Sequence, residues 1–347
     1  MAERDDLLAS IAATTADYRE GDLPAPTPAH VDRWVKQFDT AVQVPILREM
    51  DHVLKQTYIS RATIKEFLSS RISDQELTGG NPAAFWSKAH ILDIQQRGQS
   101  QKHIWELFGE ALREQLNLDI DACGAPGGPF IYLDDVIFSG GRITNDIREW
   151  LQKFAPKTSA IYVLVLVRHR GSYQIESNLK QFAENSGKNV TIRILEYFSF
   201  ENRVTYRNSS DVLWPASIPN DPQVTVYMAN QGRFPLQPRV AGAGKSEVEF
   251  TSEPGRQVLE TEFLRAGVKI RGFCQNPNAI MRPLGFSNFG VGFGSTIVTY
   301  RNCPNNAPLA LWWGDPNVSP NHPFSKWYPL FPRRTYDQGV DFDDFDF

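Results

Sequence analysis

The sequence predicts an α/β fold: a mainly parallel sheet flanked by helices, with a helical extension before it and an α+β elaboration after it. Three observations predict this. Between residues 83 and 230, apolar β-branched runs alternate with segments of helical spacing, the pattern of a sheet with crossover helices. Ile161 to Val167 is unbroken by any polar residue, as in a strand buried on both faces of a parallel sheet. Phe130 to Ile137 runs into a Gly-rich turn and then an amphipathic segment, Thr144 to Phe154, which is the order strand, loop, helix.

The elements follow in order. Thr27-Pro28 is a cap with proline at the first helical position. Val31, Trp34, Val35 and Phe38 fall at i, i+3, i+4 and i+7, one apolar stripe. A second helix is expected from about Pro45, with Ile46, Met50, Val53 and Leu54 inward, and a third capped by Ser60, with Ile64, Phe67 and Leu68 inward. Gly79-Gly80-Asn81-Pro82 closes this region. Ala89 to Leu92 reads as a short strand, Gln95 to Gln101 as a polar loop and His103 to Leu116 as a helix. Ile175 to Asn185 is a further helix, and Val190 to Leu195 and Val224 to Met228 are expected strands. Beyond Asn230 the regularity fades. Pro235 to Ser246 reads as a linker, Glu260 to Ala266 as a short helix stopped by Gly267, and Ser295 to Tyr300 as a strand. A turn at Pro304 to Pro308 precedes Leu309 to Trp313. Trp312, Trp313, Trp327 and Tyr328 read as core or packing residues, and Asp337 to Phe347, acids alternating with Phe, as a disordered tail. The expected divisions are a helical extension (1–82), an α/β core (83–230), a C-terminal hood (231–334) and the acidic aromatic tail (335–347).

Composition narrows the function classes. The 347 residues carry a net charge of -4, with 41% hydrophobic and 22% charged content, so no overall basic field recruits nucleic acid or membrane. No apolar run approaches the ~18 residues of a membrane helix. Met1 to Asp6 lacks the basic-then-apolar order of a secretory signal. Cys123, Cys274 and Cys303 are scattered, without ligand spacing, and reduced thiols in the cytoplasm are expected. The six histidines form no metal-binding group.

The chemistry concentrates at Phe130 to Ile143. Asp134 and Asp135 stand where the apolar run ends, and carboxylates there suit the vicinal hydroxyls of a ribose or an Mg²⁺ held directly or through water. Ser139, Gly140, Gly141 and Arg142 then lead into a helix. Glycines let backbone amides approach an anion, a helix N-terminus favours it, and Arg142 adds a charged fork. The two acids share one site only if the strand ends there, because successive strand residues point to opposite faces. Gly242-Ala243-Gly244-Lys245-Ser246 is rejected as a phosphate loop, since Arg239 stands where a glycine is needed.

Leu133 to Arg142 resembles the phosphoribosyl pyrophosphate motif of type I phosphoribosyltransferases. The resemblance implies a phosphoribosyltransferase-like, Rossmann-like core. It implies that Asp134 and Asp135 meet the ribose as catalytic residues, and Mg²⁺ indirectly, while Ser139 to Arg142 cradle the 5′-phosphate. It also places a pyrophosphate loop at Arg97 and Gly98, and makes Arg168 and Arg170, at the end of the next strand, further candidates. Two residues depart from the motif: Phe138 stands where the family has Thr or Asp, and Arg142 where it favours Thr or Ser. Arg142 either strengthens the phosphate contact or fills the pocket. The N-terminal helices, Gly98 to Gln101, Glu260 to Gly267 and Asn302 to Pro308 together resemble the large phosphoribosyltransferase-like proteins of bacterial conflict and defence loci, some of them retron-associated. That likeness implies a cytoplasmic antiphage effector of the pentosyltransferase class. It would bind phosphoribosyl pyrophosphate or a nucleotide, transfer or hydrolyse at the anomeric carbon with Mg²⁺, and have a reverse transcriptase with its msDNA as a candidate partner. An oligomer is compatible with it, and a membrane role is not implied. A catalytically inactive nucleotide-sensing module is the alternative.

Overall fold

The computed structural model describes residues 2–94, 100–232 and 234–333. The chain forms two compact units. One is built from the chain up to Ser60 and again from Glu201 onward, and the other from Arg61–Phe200.

The first unit opens with α1 (Ala2–Thr14), α2 (Pro28–Val35), α3 (Thr40–Thr57) and β1 (Tyr58–Ile59). The Thr27 hydroxyl caps α2 by accepting the His30 N–H at 3.2 Å, as the cap-proline pair predicts. α3 starts earlier than expected, at Thr40, and runs through Pro45. Pro45 lies just beyond the first turn, so it forfeits only one ladder bond, and the face carrying Ile46, Leu47, Met50, Val53 and Leu54 is wholly buried. α1, which shows no strong stripe in the sequence, buries Leu8, Ile11 and Ala12.

The second unit comprises α4 (Arg61–Ile72), α5 (Gln75–Thr78), α6 (Pro82–Lys88), β2 (His90–Ile91), α7 (Ser100–Leu116), β3 (Phe130–Ile137), α8 (Gly141–Lys153), β4 (Thr158–His169), α9 (Ile175–Asn185) and β5 (Asn189–Phe200). Its four strands pair in the order β2-β3-β4-β5, all parallel. The predicted α/β architecture is therefore present. One face of the sheet carries Tyr132, Ile161, Val163 and Val165 and packs with Ile147 and Trp150 of α8 and Leu179 of α9. On the other face Tyr162 meets Phe85 of α6, ring centroids 6.0 Å apart. The basic residues of α4 are answered across its surface: Arg61 pairs with Glu110 and Lys65 with Glu114.

The first unit then resumes with α10 (Pro222–Ala229), α11 (Glu253–Arg271), β6 (Val298–Thr299) and α12 (Leu309–Trp312). β6 pairs in parallel with β1, Tyr58 opposite Val298. Val224 to Met228 is helix, not strand. Asp221 Oδ1 accepts the N–H groups of Gln223 and Val224 and Pro222 begins the turn, so the cap outweighs the β-branched composition. The expected strand at Ser295 to Tyr300 shrinks to the two residues of β6. Trp312, Trp313 and Trp327 are buried, as expected of core residues.

Two expectations for the C-terminal region are corrected by packing. The short helix at Glu260 belongs to the 19-residue α11, and Gly267 is inside it rather than at its end. Gly267 is needed for close approach: a Cβ there would lie 2.3 Å from the Pro283 carbonyl oxygen. Pro235 to Ser246 is not an open linker. Arg239, 3% exposed, bonds to both Glu253 and Glu260 at 2.7–3.0 Å, and Glu260 also receives the Arg256 guanidinium and the Trp214 N–H. The Gly242 N–H donates to Glu253 and the Ser246 hydroxyl to Asp211. This segment therefore spends its polar groups on the chain's own acids, in keeping with its rejection as a phosphate loop.

Gly267→Ala should destabilise the protein by about 1–3 kcal/mol, the usual cost of forcing extra volume into a closed contact. Urea unfolding measures it, and an unchanged midpoint would sink the close-approach account of this glycine.

Candidate functional site

β3 does not end at its acids. Asp134 pairs with Val165, Val136 with Val167 and Ile137 with Arg168, so the strand runs on beyond Asp135. The expectation of a strand end is corrected, and the physical consequence is a division of labour. The two side chains approach the same cation but differ in burial. Asp134 shares the face of Tyr132 and is buried, with a side chain only 2% exposed; that of Asp135 is 16% exposed.

Asp134 is answered from within the chain. Arg142, the second residue of α8, turns back so that one Nη2 donates to Asp134 Oδ1 at 3.1 Å and Oδ2 at 3.0 Å. The same nitrogen lies 4.0 Å from Asp135 Oδ1, so one guanidinium stands between both acids. Asp134 Oδ1 also accepts the Asp135 N–H, and Asp135 Oδ1 accepts the Val136 N–H, each at 2.9 Å. Burial pushes the Asp134 carboxyl up to about 7; Arg142 pulls it down and the Asp135 charge pushes it up.

The loop between β3 and α8 is set by Gly140. It caps the helix in the left-handed region, φ 76°, and a Cβ there would meet Ile175 Cδ1 at 2.0 Å. Only glycine satisfies both conditions. The first turn of α8 receives no side-chain cap from Gly140, while the Ser139 hydroxyl oxygen accepts the Gly141 N–H at 3.3 Å. Helix amides, an exposed hydroxyl and a flexible cation thus stand together at the end of a strand bearing two acids, a donor set for an anion beside an acceptor set for hydroxyls. Phe138 packs edge-on against Phe200, 5.9 Å between centroids, and brings no acid–base group to the loop.

A family model, PRTase-CE, matches residues 31–333 of the chain. The chain belongs to the PRTase-CE family. The phosphoribosyltransferase-like resemblance read from Leu133 to Arg142 agrees with this, and the match covers the helical extension from residue 31 and the C-terminal elaboration as well as the sheet. No curated protein matches the chain.

The remaining candidates of this PRTase-CE chain divide. Arg168 is 8% exposed and turned toward Ser172, with Glu176 and Glu196 each 3.6 Å from its guanidinium. Its charge is committed to the sheet edge. Arg170 is half-buried and donates from Nε to Ser199 Oγ at 3.3 Å. Arg97 and Gly98 lie outside the described residues. Among the described residues no group of three or more His, Cys, Asp or Glu could hold a metal ion, and no helix is long and apolar enough to cross a membrane.

Two supporting residues escape the sequence reading. Asp146, one turn after Arg142 on α8, accepts the Tyr132 hydroxyl at 3.0 Å, which ties the helix to the strand below the acids. Gln101, read as loop, is buried at the start of α7 and donates to the carbonyls of Leu92 and Leu133.

The raised Asp134 carboxyl predicts a pH signature. The folded protein binds this proton more tightly than the unfolded chain, so the contribution is complete below the ordinary value of 3.8 and is lost as pH rises toward about 7. Asp134→Asn should therefore gain stability relative to the unaltered protein as pH rises through that window, and level off above it. Urea unfolding of both proteins across the range checks this; a flat or opposite difference contradicts the assignment.

Proposed function

We propose that the chain binds phosphoribosyl pyrophosphate or a nucleotide at Asp134-Asp135 and the first turn of α8. The observation that carries the reading is the bridge between the acids of β3 and Arg142 at the Gly140-capped start of α8. Asp135, the more exposed acid, accepts the ribose hydroxyls. The amides of α8 and the Ser139 hydroxyl take the 5′-phosphate. Arg142 exchanges Asp134 for the phosphate, a stronger partner because it carries more charge and more acceptor oxygens.

The donor set fits Mg²⁺ held through ligand phosphates and water, since this ion commonly takes only one or two carboxylates from protein. Asp135 would hold it first, and Asp134 only after Arg142 has left. Bound there, the ion would neutralise charge on a departing pyrophosphate. The reaction is then glycosyl transfer or hydrolysis at the anomeric carbon, of the pentosyltransferase class, in a cytoplasmic antiphage effector working with a reverse transcriptase and its msDNA. The Arg142–Asp134 pair also favours a second reading, a nucleotide-sensing module without turnover, because it engages the buried acid that a reaction would need.

Incubation with phosphoribosyl pyrophosphate and Mg²⁺ separates the two. Pyrophosphate release supports the enzyme, and binding by calorimetry without release supports the sensor. Asp135→Asn should weaken binding about 10- to 100-fold, the value of one charge-assisted contact of about 1.5–3 kcal/mol. Unchanged affinity in Asp134→Asn/Asp135→Asn would remove the site assignment.

A further inference from the structure

We propose that Arg19 and Arg333 form an oxyanion-binding site in the unit that does not hold the acids of β3. The guanidinium of Arg333 lies over Trp312, 4.9 Å from the ring centroid, and its Nη1 is enclosed with no hydrogen-bond partner among the described residues. Arg19 is 9% exposed. Its Nη2 donates to Asp22 Oδ2 at 3.2 Å, but its Nε is likewise enclosed and unanswered among the described residues. Asp22 is shared, for Arg301 Nη2 donates to the same oxygen at 3.1 Å.

Asp17, two residues before Arg19, takes the Tyr58 hydroxyl at 2.6 Å. Among the described residues, the titratable groups that act on Arg333 are Cys303, Tyr18 and Arg19. Burial pushes the Cys303 thiol up to about 12 and raises the Tyr18 phenol as well, so both stay neutral. The Tyr18 hydroxyl is already spent, donating to the Pro332 carbonyl at 3.1 Å. Burial and the charge of Arg19 both disfavour the Arg333 cation. Arginine does not escape this by losing its proton, so both charges persist, that of Arg19 beside Asp22.

The backbone is also held at a cost. Arg19 adopts φ 53°, the left-handed region uncommon outside glycine, fixed by its N–H donating to the Tyr300 carbonyl at 2.5 Å. Strain of this kind persists where the surroundings over-determine it and marks functional positions. Buried unpaired guanidinium N–H groups are satisfied by an anion with several acceptor oxygens. Phosphate and carboxylate share that chemistry. The first would come from a free ligand. The second is available in the chain itself, at Asp337, Asp341, Asp343, Asp344 and Asp346.

The test is thermal unfolding of the full chain in sodium phosphate against sodium chloride at matched ionic strength. Because the α8 loop can also answer phosphate, the quantity scored is the rise in midpoint lost on Arg333→Met. A loss of several degrees supports the site with a free oxyanion as its ligand. If that loss emerges only in the full chain with the five tail aspartates changed to Asn, the site stands and the tail carboxylates are its occupant. No Arg333-dependent rise in either background overturns the proposal. Should Arg333→Met fail to fold, Arg333→Lys replaces it: keeping the charge but losing the planar fork, it should retain only part of the rise, and a full rise counts against the site.

Discussion

A carboxylate buried within a parallel sheet must be answered, and the Arg142–Asp134 ion pair is that answer. Asp134 cannot reach water from inside β3, with Val165 beside it in β4. Its partner must come from the next element, so α8 has to begin where its second residue can turn back over the strand. That requirement places Gly140 in the left-handed region against Ile175, where no side chain fits. Tyr132 and Asp146 hold the same helix one turn further on. Acid, cation, loop and helix start are consequences of one electrostatic demand.

The same pair gives the site its character. A buried ion pair contributes little net stability, because desolvation offsets attraction, yet breaking it is expensive. On the proposed reading, a ligand that takes Arg142 must therefore leave Asp134 protonated or otherwise compensated. The raised carboxyl of Asp134 makes that exchange less costly, since its neutral form is within reach near neutral pH. The other unit meets a similar demand differently. Glu260, 2% exposed, is shared between Arg239 and Arg256 and tied to the Trp214 N–H, so its charge is engaged within the unit.

Much of this was legible beforehand. The unbroken run at Ile161 to Val167 gave the central strand, because a strand buried on both faces needs no polar residue. Thr27-Pro28 gave the start of α2, since capping is a local hydrogen bond. Gly140 was legible as a turn glycine. What was not legible depended on distant partners. Gly267 reads as a helix stop until Pro283 is known to press against it. Arg239 reads as linker until Glu253 and Glu260 surround it. Val224 to Met228 is a different case: it reads as strand by composition, but the deciding Asp221-Pro222 cap is local and stands in the sequence.

By itself, the sequence determined the class of fold, the order of its elements in the sheet unit, and the segment Leu133 to Arg142 at which we propose a site. These depend on periodicity and on residue types that neighbour one another along the chain. Only the tertiary structure decided that β3 runs past its acids, that Asp134 turns inward while Asp135 keeps contact with solvent, and that Arg142 closes on both. The reason is that strand length is set by pairing with β4, and the partner of a buried charge by what packs over it. Neither is written in the spacing of residues along a single strand.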